Sequence, residues 1–169
     1  MKKRIIRYTL IFIVFYLLQT AISPITVYGV GPEYILCCTV ILAMFEKERF
    51  GSIYGLIFGL FCDFSSSGLF GTRAVLFMTF GFFIGIAATN FVSVSMFSAI
   101  LLTVVTTAVF EMLLCVSYAF FMSESLLPLI LYTALPKFLL TLIIIIPIYF
   151  IFKFTNKRIT RREERAGTW

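Results

Sequence analysis

The chain has no histidine, one tryptophan, and charged side chains at only 13% of its 169 residues. Without His there is no imidazole base and no His-ligated metal site. The four cysteines, Cys37, Cys38, Cys62 and Cys115, contain no C-x-x-C spacing. They read as small packing residues, not as disulfides or zinc ligands. A Ser-Lys dyad needs a serine beside Lys137, and the sequence there is ALPKFLL. No matched set of acid, base and nucleophile is left. An enzyme is therefore not expected, and neither is a cofactor or a metal.

Apolar residues fill the space: 61% of the chain is hydrophobic, 21 residues are Phe, and the mean hydropathy is +1.05. These values belong to membrane proteins. The expected fold class is an all-α integral membrane protein forming a single multispanning domain over 1–169. Spans are placed near 5–23, 33–45, 50–64, 71–91, 96–121 and 128–152, followed by a basic tail at 153–169. The first is read as a retained signal anchor, because no cleavage site follows its apolar run. Between the first two, SPITVYGVGP carries two prolines and two glycines and reads as an external turn.

Charge is sorted along this plan. The net charge is +6, and all but two of the 14 basic residues lie in the first seven positions, in the internal EKER loop at 46–49, or in the tail. Placing those three regions in the cytoplasm satisfies the positive-inside rule with both termini inside. The excess charge then reports topology and anionic lipid at the tail, and gives no reason to expect nucleic acid. The two exceptions are Arg73 and Lys137.

Gly51, Gly55, Gly59 and Asp63 recur every four residues and so share one helix side. Small residues at that spacing let a second helix approach closely. The contact is either with another span of the chain or with a partner. An acid in an apolar run is a candidate functional group, since leaving it unpaired costs about 2.5–3.5 kcal/mol. Spans two and three are short, and the outer end of their hairpin, Asp63 to Gly71, is expected to be a break in the helix. A second stripe, Ser95, Ala99, Thr103, Thr107, Glu111 and Cys115, also repeats every four residues. Counting 1.5 Å per residue puts Asp63, Glu111 and Lys137 about 3–5 Å to the outer side of the midplane. Lys137 is expected to pair with Glu111, Asp63 or both. The plainer reading of this polar cluster is a clamp that fixes helix register without binding a ligand.

Gln19, Pro32–Glu33, the short second span, the G-x-x-x-G-L-x-x-D run ending at Asp63, and SSSGLFG at 65–71 together resemble the MreD family. These are small multispanning proteins of bacterial cell-wall elongation. The family often has Asp after the loop proline, where this chain has Glu33. The resemblance implies a non-catalytic scaffold in the bacterial cytoplasmic membrane. It would bind MreC, in an assembly with MreB and with RodA and its penicillin-binding protein. Gly55, Gly59, Asp63, Gly68 and Gly71 are the positions carried by the match, and a homodimer stays open.

Two other classes have points of similarity. The membrane subunit of an energy-coupling-factor vitamin transporter shares the size and the polar intramembrane cluster. It usually has an alanine-spaced docking stripe in its first span, and the first span here has only Ala21. An intramembrane aspartyl protease would need a GxGD motif, whereas Asp63 sits in LFCDF.

Overall fold

The computed structural model describes residues 2–20, 31–65, 70–90, 95–122 and 133–166. Gly68, the turn at 23–30 and the first residues of the sixth span, 128–132, lie outside the described residues. Those described form five helices: α1 (Lys2–Thr20), α2 (Tyr34–Ser65), α3 (Thr72–Asn90), α4 (Met96–Met122) and α5 (Leu135–Ala166). No strand occurs among them.

Three helical stretches are long and apolar enough to cross a membrane: Thr72–Asn90, Met96–Ser117 and Leu135–Lys157. The other helices fail for separate reasons. α1 opens on Lys2, Lys3, Arg4 and Arg7, so its uncharged part from Tyr8 to Thr20 is only about 20 Å long. α2 is interrupted at Lys47, where φ is 70° and ψ is −174°. That conformation is nearly confined to glycine. Its effect is to fold α2 back on itself. A Cβ built on Gly51 would lie 2.6 Å from the Ala43 Cβ, whereas eight residues of unbroken helix would separate the two positions by about 12 Å. The limbs, 34–46 and 48–65, correspond to the second and third expected spans.

The EKER segment is a bend that exposes Lys47 and Arg49 and buries its first acid. Glu46 is buried, accepts a hydrogen bond from the Tyr8 hydroxyl at 2.8 Å, and pairs with Arg4 at 2.9 Å. A carboxylate at a sharp bend in an apolar bundle needs such partners, and the start of α1 supplies them. The tail is also less distinct than expected, since α5 continues as helix to Ala166.

Aromatic rings join α1 to the second limb of α2 and to α5. Phe12 meets Phe58 at 4.9 Å, Tyr54 at 5.1 Å and Phe152 at 6.3 Å between ring centroids. Tyr8 stacks on Phe152 at 5.9 Å. The first limb of α2 is the most enclosed segment, with every residue from Ile35 to Ala43 fully buried. Large apolar side chains such as Phe83, Phe97, Met112 and Phe120 are exposed on the outside of the bundle, as lipid contact requires.

Candidate functional site

The glycine stripe finds its partner within the chain. A Cβ on Gly55 would lie 2.5 Å from the Phe77 carbonyl oxygen, and one on Gly59 would lie 2.6 Å from the Ala74 Cα. Both obstacles are backbone atoms of α3, so no side-chain rotation could make room. Gly51 and Gly81 face each other across the same interface. The three stripe glycines are buried by α3, which leaves that face no room for a helix from another protein.

Asp63 continues the stripe and performs a capping role from a distance. Its Oδ1 accepts a hydrogen bond from the Arg73 amide at 3.2 Å, and its Oδ2 accepts one from the Ala74 amide at 3.1 Å. Those N–H groups belong to the first turn of α3 and have no acceptor in their own helix. The residue before the helix, Gly71, has no side chain with which to cap them. It supplies instead the left-handed turn, with φ of +89° and open space where a Cβ would stand. The carboxylate also complements the positive end of the helix dipole. The connection between α2 and α3 is thus tied at both of its ends.

Above this junction lies Glu33, the last residue before α2 and 2% exposed. Its Oε1 is 3.1 Å from the Lys137 ammonium and 3.4 Å from the Arg73 guanidinium. Its Oε2 accepts a hydrogen bond from the Gln19 amide at 2.8 Å. The Glu33 backbone N–H donates to the Thr141 hydroxyl at 3.2 Å, and the Gln19 side-chain oxygen accepts from the Ile35 N–H at 3.1 Å. One carboxylate thereby joins α1, α3 and α5 to the start of α2. A cavity of about 430 Å³ lies alongside, lined by Gln19, Thr20, Cys62, Ser65 and Arg73.

The pairing expected from the sequence is therefore corrected. The carboxylate in contact with Lys137 is Glu33 and not Asp63 or Glu111. Depth counting set Lys137 and Asp63 at one level, whereas the contacts join them only indirectly, through Glu33 and Arg73. It could not say which helices stand side by side. Arg73 and Gln19 were not placed in the cluster either. The available signal was an uncompensated acid at Pro32–Glu33, flanked by apolar sequence, with an unassigned cation at Arg73.

Glu111 stands apart from this network. It is 5% exposed, yet its Oε1 is buried without a hydrogen-bond partner. The Thr107 and Thr103 hydroxyls, one and two turns away on the same side of α4, also lack partners. Lys137 interacts with Glu111 electrostatically, but its close contact goes to Glu33. Among the described residues no group of three His, Cys, Asp or Glu side chains could hold a metal ion.

The fold and this clamp define an all-helical membrane protein whose interior charges are largely matched within the chain. Comparison with protein families matches residues 2–158 to the family described as rod shape-determining protein MreD. The chain belongs to the MreD family, whose members are shape-determining membrane proteins and are not known as enzymes. The vitamin-transporter alternative is not favoured by this membership. No curated protein and no solved structure matches the chain.

Proposed function

We propose that this protein is a non-catalytic scaffold of the cell-wall elongation machinery. It binds MreC and links it to MreB and to RodA with its penicillin-binding protein. In this reading the two limbs of α2 count as spans, which gives six crossings and places both termini in the cytoplasm. The positions of the cations support that topology. Arg4, Glu46, Tyr8 and Phe152 meet at one end of the bundle, so the basic N-terminus, the bend at Lys47 and the cationic end of α5 share a side. The same reading gives the basic tail at 153–169 anionic lipid as a partner, each cation near the surface adding about 1 kcal/mol.

The observation that carries the reading is the internal saturation of the Glu33 carboxylate. Two cations and the Gln19 amide occupy it. Such an arrangement holds helices in register and offers no reacting group. The experiment is depletion of this protein in its host, followed by complementation and mild-detergent co-purification with the host's MreC-like protein. Loss of rod shape on depletion, rescue by the wild type and recovery of the MreC-like protein are expected. Rods that persist through depletion, or wild type that recovers no MreC-like protein, would overturn the reading.

A further inference from the structure

The α4–α5 side of the bundle carries a cavity of about 440 Å³, lined among the described residues by Ala108, Glu111, Met112, Cys115, Leu135 and Phe138, among others. Apart from Glu111 its walls are almost wholly apolar. Among the described residues Glu111 is the buried acid with an unpartnered oxygen, since Glu46, outside the clamp, has Arg4 and Tyr8. Glu33 and Asp63 are matched by Arg73, Lys137 and backbone amides, whereas the Glu111 Oε1 has no hydrogen-bond partner. An unsatisfied buried carboxyl in a membrane is costly. A donor entering the cavity would remove that cost.

Depth selects the kind of donor. Glu111 lies two residues past the middle of α4, Met96–Met122, which is about 3 Å along the helix axis. Lipid headgroups sit about 15 Å from the midplane, at the edge of a hydrocarbon core about 30 Å thick. A headgroup does not reach this acid, but a side chain on a spanning helix does. The cavity has room for side chains of a helix lying along it, and Met112 on its rim is 71% exposed. The glycine face, by contrast, is already filled by α3.

We propose that the α4–α5 cavity seats a transmembrane helix of a partner chain, and that this helix presents a hydrogen-bond-donating or cationic side chain to Glu111 at mid-membrane depth. The proposal rests on the scaffold reading and locates its intramembrane contact. In a membrane, apolar packing gives little preference for protein over lipid, so an interhelical hydrogen bond of this kind selects the partner.

The test uses the full-length chain in host membranes with its MreC-like single-span partner co-expressed. A photo-crosslinking residue replaces Met112 or, as a control on the outer face of α3, Phe83. The adduct is identified by mass. In parallel, Glu111→Leu and Glu111→Gln are compared with wild type for partner recovery and for thermal midpoint in detergent. An adduct between Met112 and the partner's transmembrane segment is expected, with none from Phe83. Glu111→Leu should lower recovery about tenfold, near 1.4 kcal/mol. Glu111→Gln, which keeps an acceptor, should stay within about threefold of wild type. Neither substitution should lower the midpoint. An adduct from Phe83 alone, with recovery unchanged in Glu111→Leu, would overturn this site and leave the scaffold reading intact. Adducts at Met112 with lipid only, or with a second copy of this chain, would also overturn it. Wild type that recovers no partner and gives no adduct at Met112 would remove both.

Discussion

The two halves of this bundle handle close packing and buried charge in opposite ways. On the α2–α3 side, glycines bring backbones into contact, and Glu33 and Asp63 are each matched by donors from neighbouring elements. On the α4–α5 side, a cavity opens beside an acid with an unpartnered oxygen, and two threonine hydroxyls on the same stripe are unsatisfied. The difference teaches that an intramembrane carboxylate is not by itself a functional site. Glu33 and Asp63 hold the fold together. Glu111 makes no hydrogen bond or close ion pair that would do the same, and a fold keeps such a residue at a cost.

This contrast can be broken at several positions. The largest effect is expected at the clamp. Glu33→Leu takes away the carboxylate that Lys137 contacts, and removal of one member of a buried ion network costs about 3–5 kcal/mol. Thermal unfolding in detergent should fall accordingly, and adding Lys137→Leu should restore part of the loss. Gly55→Leu comes next, because its side chain would start 2.5 Å from a backbone oxygen. Parting α2 from α3 should cost about 3 kcal/mol, at the upper end of overpacking penalties. Protease resistance of the region around Gly71 reads the separation directly. Asp63→Leu removes a cap that serves two amides and should cost about 0.5–2 kcal/mol; Asp63→Asn should retain much of it. Lys47→Gly should act in the opposite direction and raise stability by about 1 kcal/mol, because the bend demands a conformation strained for lysine. A lower midpoint in that variant would show that the Lys47 side chain matters more than its backbone.

Much of this was legible in the sequence because it depends on local pattern. Hydropathy placed α3 and α4 nearly to the residue, expected at 71–91 and 96–121 and found at Thr72–Asn90 and Met96–Met122. The four-residue repeat identified a close-packed face, and the charged EKER segment marked the reversal between the short limbs. What stayed hidden is set by contacts distant in sequence. Glu33 meets a lysine 104 positions away, and periodicity assigns a residue to a side of its helix without naming the helix opposite. Asp63 was noticed as a buried acid, but its role depends on a glycine at the start of α3 that cannot cap its own helix. The burial of Glu46 was missed because a charged run reads as solvated until α1 brings Arg4 and Tyr8 against it.

The most direct measurement is the thermal midpoint of the full-length chain in one detergent, compared between Glu33→Leu and Glu111→Leu. Both substitutions exchange a buried acid for the same apolar side chain, so they differ only in what each acid was doing. A large fall is expected for Glu33→Leu, and an unchanged or higher midpoint for Glu111→Leu. Equal falls, or a stable Glu33→Leu beside a destabilised Glu111→Leu, would contradict the division between a structural clamp and an uncommitted acid.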